Sequence, residues 1–162
     1  MCGIILEYYK PPIDFRIESS AKKMLTAIVH RGSDEIKIDA YSNFTIGYRR
    51  LAITDIKQVP IFTEWEIYLN GEIYNYKELG FAGCELEVLS QGFNKYGVDF
   101  VKRLNGMFFI VAVFNDQIYC FRDRYGIKPA YHFENENVIL VASEIKAIIV
   151  FYFKYRPFPQ IH

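Results

Sequence analysis

The sequence predicts an α+β fold in which helices cover the outer faces of antiparallel sheets. Three observations lead there. Short apolar or alternating runs recur along the 162 residues and are separated by turn-forming residues, the pattern of antiparallel strands. Three stretches carry apolar residues at helical spacing. Hydrophobic residues make up 51% of the chain and charged residues 23%, enough apolar surface for one substantial core.

In chain order, Ile4–Tyr9 is an apolar strand, and Lys10-Pro11-Pro12 ends it because paired prolines cannot continue a central strand. Ser19 or Ser20 can cap a helix that runs to about Val29, with Met24, Leu25 and Ile28 on one face. His30–Asp34 reads as a polar loop. Glu35–Tyr41 alternates as a half-buried strand, Phe44–Ile53 is a second strand ending at Thr54-Asp55, and Glu66–Leu69 is a third that leads into Asn70-Gly71-Glu72. Glu85–Tyr96 is the second helix, its face made by Leu89, Phe93 and Tyr96, with Gly97 as its stop. Asp99–Leu104 adds a helical turn or two. Phe108–Phe114 and Gln117–Phe121 form a hairpin across Asn115-Asp116, followed by a polar loop, Arg122–Pro129. Tyr131–Phe133 and Val138–Ala142 make another hairpin, and Ser143 can cap a last helix, Glu144–Val150. Residues 1–150 then form one domain. The tail 151–162 is too apolar for a flexible linker and is expected either to pack on this domain or on a partner, or to begin the segment that leads into a further domain.

The 19 basic and 19 acidic residues cancel, so nothing points to nucleic acid or an anionic membrane as a partner. The three cysteines, at positions 2, 84 and 120, have neither metal-ligand nor disulfide-framework spacing, which suits a reducing, cytoplasmic setting. No run of about 18 apolar residues is present to span a bilayer.

The chemistry concentrates at strand ends. Cys2 directly follows the initiator methionine. Removal of Met1 would leave a residue carrying a thiol beside a free α-amine, a nucleophile and its base in one unit. An α-amine titrates near ~7.7–8, so it can accept a proton at neutral pH. Read alone, Met-Cys is equally an accident of a tolerant terminus. Asn70 and Gly71 offer the donor types of an oxyanion hole, but Asn-Gly alone also reads as a hairpin turn. Arg50 offers a fork for a carboxylate, or is a surface arginine.

Taken together, Met1-Cys2-Gly3-Ile4, His30-Arg31-Gly32, Arg50-Leu51-Ala52-Ile53-Thr54-Asp55, Asn70-Gly71-Glu72-Ile73-Tyr74-Asn75, Asn105-Gly106-Met107-Phe108, Arg122–Pro129 and Ala142–Ala147 resemble a class II glutamine amidotransferase domain. Within that group the chain is most similar to the glutaminase domain of glutamine-hydrolysing asparagine synthetase. The resemblance covers nearly the whole chain and implies an N-terminal-nucleophile hydrolase fold, a four-layer αββα sandwich with two antiparallel sheets. It implies hydrolysis of L-glutamine to L-glutamate and ammonia through a Cys2 thioester. By the same resemblance Asn70 and Gly71 form the oxyanion hole and Arg50 holds the α-carboxylate. Ile53, Thr54 and Glu72 help to hold the amino-acid end, Glu85 faces the α-ammonium, and His30, Arg31 and Gly32 form a loop near the nucleophile. Arg122 and Asp123 are read as structural. No cofactor is expected in this chain; ATP and Mg²⁺ are expected on a partner synthetase domain or subunit that receives the ammonia. Oligomeric state is left open.

Three departures qualify the resemblance. Ser33 stands where the family usually has proline. Cys84-Glu85-Leu86-Glu87 replaces the usual Ser-Asp-Thr-Glu, and the extra methylene of Glu85 shifts the carboxylate that would grip the substrate, where a misplacement near 1 Å costs on the order of 10²-fold in rate. The stretch between Leu79 and Gly83 is short by about ten residues. The alternatives are a non-catalytic glutamine-binding or assembly module, or the glutaminase unit of another class II amidotransferase.

Overall fold

The computed structural model describes residues 2–12, 20–51 and 64–155. The chain divides into two compact units, one formed by residues 1–51 and 130–162 and the other by residues 52–129. Among the described residues, no helix is long and apolar enough to cross a membrane.

The first unit is built on a five-stranded antiparallel sheet. Its strands are β1 (Gly3–Tyr9), β2 (Glu35–Ala40), β3 (Phe44–Arg50), β7 (Tyr131–Glu134) and β8 (Val138–Ala142), in the order β2-β3-β1-β8-β7. Strand β1 is central, pairing Gly3 with Arg49 and Ile4 with Tyr48 on one side and Ile5 with Ala142 on the other. Helices α1 (Ala21–Ala27) and α3 (Ile145–Tyr155) share a core with it: Met24, Leu25 and Ile28 meet Ile5, Leu140, Ile148 and Phe151. The last helix therefore runs five residues past the expected end at Val150, because Phe151 continues the apolar face that Ala147 and Ile148 begin.

Two expected caps differ. Ser20 precedes α1, but its hydroxyl makes no capping bond; its N–H donates instead to the buried Glu7 carboxylate at 2.9 Å. Ser143 is used by the sheet, not by a helix end. Its hydroxyl accepts the Ile4 N–H at 3.0 Å and its own N–H donates to the Ile4 carbonyl at 2.9 Å, which extends the β1–β8 ladder by a residue. The expected His30–Asp34 loop begins as a tight 3₁₀ turn over Val29–Arg31 with Arg31 buried.

The second unit holds a three-stranded antiparallel sheet, β4 (Glu66–Ile73), β5 (Gly106–Phe114) and β6 (Gln117–Arg122), and helix α2 (Glu85–Tyr96). Leu86, Leu89 and Phe93 of α2 pack on Ile67, Leu69, Ile73, Phe108 and Ile110. Trp65 stacks on Phe93 and Phe114. A 3₁₀ segment, Gly97–Arg103, follows α2 and buries Phe100. Phe81 meets Tyr96 and Phe100 edge-on, so one aromatic side chain fills the short connection between Leu79 and Gly83. The β5–β6 turn has Asn115 and Asp116 at φ 49° and 60°, the positive pair that a two-residue hairpin requires.

Asn70-Gly71 is not a hairpin turn. Strand β4 continues through both residues to Ile73, with Asn70 opposite Phe109 and Gly71 opposite Phe108. Gly71 has φ 146°, and a Cβ there would lie 1.9 Å from the Met107 carbonyl oxygen. Only glycine allows the two strands to approach so closely at this point.

Candidate active site

In the first unit the site grows from the open end of β1. Cys2 lies one residue before the strand, and the β1–β3 register continued by one step puts it opposite Arg50. Strand alternation puts Tyr48 and Arg50 on one face of β3, so Tyr48 is the diagonal neighbour of Cys2. Burial, first of all, and then the neighbouring Cys2 thiol hold the Tyr48 phenol well above its ordinary range, and the Arg50 guanidinium opposes them only in part. The phenol is therefore a proton donor across the working pH range.

Arg50 faces Glu35 across β2–β3 at 3.6 Å, a loose ion pair rather than a forked one. Arg49 points the other way. Its Nε donates to the Leu25 carbonyl at 2.6 Å and a terminal nitrogen to the Gly32 carbonyl at 3.0 Å, tying α1 and the following turn to β3. Of this arginine pair, one secures the scaffold and the other lies on the Cys2 side of the sheet.

Arg31, only 6% exposed, donates its Nε–H to the Cys2 carbonyl at 3.0 Å and a terminal N–H to Glu144 Oε1 at 3.0 Å. His30 Nε2 lies 2.6 Å from the same carboxylate oxygen, and Lys146 Nζ lies 3.1 Å from the other. Burial pushes the Glu144 carboxyl up, but the bonds from Arg31, His30 and Lys146 outweigh it and bring it down to about 2. Gly32 lies against β3: a Cβ there would meet the Arg50 backbone at 2.6 Å.

In the second unit, Asn70, Gly71 and Glu72 are consecutive in β4. Asn70 is 0% exposed, and neither its amide nitrogen nor its amide oxygen has a hydrogen-bond partner among the described residues. A buried amide left unpaired costs about 1–3 kcal/mol. Glu85, the first residue of α2, accepts the Ile73 N–H at 2.7 Å. Its carboxylate therefore sits at the end of the strand that carries Asn70, which a position in helix α2 does not by itself suggest.

The structure thus gathers Cys2, His30, Arg31, Gly32 and Arg50 in the first unit, and Asn70, Gly71, Glu72 and Glu85 in the second. Ile53 and Thr54 lie outside the described residues. Sequence reasoning passed over Tyr48 and Glu144. Alternation along β3 could have found Tyr48, since it shares a face with Arg50. Glu144 gives no local signal, because its partner Arg31 is far away in sequence.

The sequence model of the family described as "Glutamine amidotransferase domain" matches residues 1–155. Asparagine synthetase [glutamine-hydrolyzing] 1 of Bacillus subtilis (strain 168) is 34% identical over 169 residues, covering 93% of this chain and 27% of its own length. Asparagine synthetase [glutamine-hydrolyzing] 2 of the same organism is 34% identical over 166 residues, covering 91% of this chain and 22% of its own. The chain therefore spans less than a third of the length of these two relatives. Among solved structures, glutamine phosphoribosylpyrophosphate amidotransferase from B. subtilis superposes with a TM-score of 0.72 at 17% identity, over 92% of this chain and 43% of that one. That likeness shows the fold, the α+β arrangement of N-terminal-nucleophile hydrolases with its two antiparallel sheets. With a family match across almost its entire length, the chain belongs to the glutamine amidotransferase domain family.

Proposed function

We propose that this chain hydrolyses L-glutamine to L-glutamate and ammonia, with Cys2 as nucleophile once Met1 has been removed. The freed α-amine takes the thiol proton, directly or through a water. The thiolate attacks the side-chain carbonyl carbon, and the electron pair of the C=O bond moves onto oxygen. The C–N bond then breaks, the leaving nitrogen takes a proton, and ammonia departs from a thioester. Water attacks the thioester, the C–S bond breaks, and glutamate leaves with the thiol restored.

The observation that carries this reading is the buried Asn70 amide, which has no hydrogen-bond partner among the described residues. A buried polar group without a partner needs a reason, and a donor held ready for a developing oxyanion is one. Asn70 Nδ2 and the Gly71 N–H are assigned that task. Arg50 takes the α-carboxylate in exchange for its loose contact with Glu35. Glu85 takes the α-ammonium, and Glu72, Ile53 and Thr54 complete the grip on the amino-acid end. His30, Arg31 and Gly32 fix the backbone beside the nucleophile.

None of these steps calls for a metal or a nucleotide. The asparagine synthetase relatives suggest the destination of the ammonia: a synthetase domain or partner, where ATP and Mg²⁺ would serve. One observation favours a glutamine-binding module without turnover, namely that the Glu85 carboxylate already accepts the Ile73 N–H.

Intact mass before and after treatment with 6-diazo-5-oxo-norleucine tests the proposal. Loss of Met1 and a single adduct that is absent in Cys2→Ala are the expected results. A protein that retains Met1, or that takes no adduct, ends the glutaminase reading and leaves the binding role.

A further inference from the structure

We propose that β2 is a self-association edge: two copies of this chain pair antiparallel through β2 about a two-fold axis at Ile38 and join their five-stranded sheets into one. The pairing does not depend on glutamine turnover.

Strand β2 is an outer strand of its sheet, with β3 on one side and no strand on the other among the described residues. The Tyr41 N–H donates to the Phe44 carbonyl at 2.8 Å, and this bond sets the alternation along the β2–β3 ladder. Glu35, Lys37 and Asp39 turn their backbone groups to β3. Ile36, Ile38 and Ala40 turn theirs to the open edge, where they have no hydrogen-bond partner among the described residues. The side chains alternate as well, and the apolar side is the exposed one: Ile36 is 55% and Ile38 41% exposed. Ile38 pairs with Gly47, and a Cβ at Gly47 would meet Leu25 of α1 at 2.9 Å. The helix therefore lies over β3, and Ile38 stands uncovered on the same face one strand further out. Unpaired edge backbone beside exposed isoleucines is a template for another strand. The opposite edge, β7, spans only Tyr131–Glu134, and an edge that short is a poor template.

Charge and register select a second copy as the occupant. About an axis at Ile38, Ile38 meets Ile38 of the second copy and Ile36 meets its Ala40. These are the residues whose backbone groups face outward, so each pair can exchange both of its N–H···O bonds. Lys37 then stands opposite Asp39 of the second copy, in a pair without hydrogen bonds, where side chains approach most closely. Within one copy the same two charges are 2.8 Å apart, so the axis brings them into an alternating group of four. Other registers fit worse. An axis at Lys37 or at Asp39 sets like charges directly opposite. An axis between two residues pairs an outward-facing residue with an inward-facing one. An axis at Ile36 sets Ile38 against Asp34, which precedes the strand. Only the register at Ile38 pairs every outward residue of β2 and opposes its charges. Such a contact is isologous and closed, with the same edge used on both copies.

Sedimentation equilibrium of the full chain tests this, with reductant present because the cysteines are free thiols. A monomer–dimer equilibrium is expected, with Kd on the order of 10–100 µM, as suits a small interface. Ile38→Lys changes an exposed side chain, so the monomer should fold as before. It sets two like charges together at the axis, and Kd should rise at least about tenfold. A wild-type chain that is still monomeric at ~1 mM, a dimer that Ile38→Lys leaves unchanged, or growth into open-ended species overturns the proposal. The register has its own test. Lys37→Glu and Asp39→Lys should each lose the dimer alone, since each sets like charges face to face. An equimolar mixture of the two should recover it, because opposite charges then meet at both positions. A mixture of folded variants that stays monomeric overturns this pairing. Should either of these variants not fold, Ile38→Lys decides by itself.

Discussion

The Arg31 guanidinium bridges the Cys2 carbonyl and the Glu144 carboxylate, with both hydrogen bonds at 3.0 Å. Cys2 lies just outside the β1 ladder, and backbone without ladder bonds frays unless something ties it down. Here the tie is a buried cation whose charge is met by a carboxylate on the far side of the sequence.

Removing that cation should therefore loosen the nucleophile and unsettle the unit that holds it. Arg31→Met keeps the stem and loses both bonds. Hydrogen bonds to charged groups are each worth about 1.5–3 kcal/mol, and urea unfolding should show a loss of at least that size. Arg31→Lys should fall between the two, because an ammonium cannot reproduce the fork that serves two acceptors at once. A change under ~0.5 kcal/mol in Arg31→Met would show that the bridge carries no weight.

Glu144 predicts a specific acid limb. Its carboxyl lies at about 2 in the folded protein against an ordinary 4.5, despite burial that pushes it up. A lowered folded value means that its stabilising effect is complete above the unfolded value and disappears as pH falls toward the folded one. Stability should thus decline between about pH 4.5 and pH 2. Glu144→Gln should be less stable at neutral pH and should lose less across that window. Melting temperature followed against pH in both proteins checks the sign directly.

The loop after β6 makes a separate prediction. Asp123 Oδ1 accepts the N–H groups of Tyr125 at 3.2 Å and Ile127 at 2.8 Å, and Oδ2 accepts that of Lys128 at 2.8 Å. Arg122 closes the loop from outside through the Lys128 and Gly126 carbonyls. Burial raises the Asp123 carboxyl, and the backbone donors more than reverse it. Asp123→Asn keeps one acceptor and turns an NH₂ toward the Lys128 N–H, or the reverse. Either orientation sets donor against donor, and urea unfolding should report a loss of about 1.5–3 kcal/mol.

How much of this could be read in the sequence depends on the distance over which each signal acts. The amphipathic face of α2 and the Asn115-Asp116 turn are local patterns, and both stand in the structure where periodicity puts them. Asn70-Gly71 misleads because the local turn signal is real. What defeats it is the Met107 carbonyl, which leaves no room for a Cβ at Gly71 and holds β4 and β5 together through that point. Ser143 misleads in the same way: a serine before a helix looks like a cap until Ile4 claims both its groups. Glu144 and the Glu85 bond to Ile73 depend on partners that only the folded chain brings near.

Asn70 should trade stability against turnover. Its buried amide makes no hydrogen bond among the described residues, so Asn70→Ala gives up none and removes a desolvated polar group at the expense of a small cavity. Unfolding free energy should stay within about 1 kcal/mol of wild type. Under the proposed function, glutamine kcat should nonetheless fall by about 10²–10³. A large stability loss with unchanged kcat would make Asn70 a packing residue.

Glu85 separates scaffold from substrate contact. Its carboxylate accepts the Ile73 N–H at the first turn of α2, where a negative charge also favours the helix. Glu85→Gln can keep the acceptor and loses the charge. If the charge meets the α-ammonium of glutamine, KM should rise about tenfold with kcat nearly constant, the pattern of a lost ground-state contact. Glu85→Asp keeps the charge but is a methylene shorter, so the Ile73 bond should weaken, with a stability loss of about 1 kcal/mol. Steady-state kinetics beside urea unfolding on both variants resolves the two roles. A KM that does not move in Glu85→Gln would assign this carboxylate to the β4–α2 junction alone and would strengthen the case for a binding module over an enzyme.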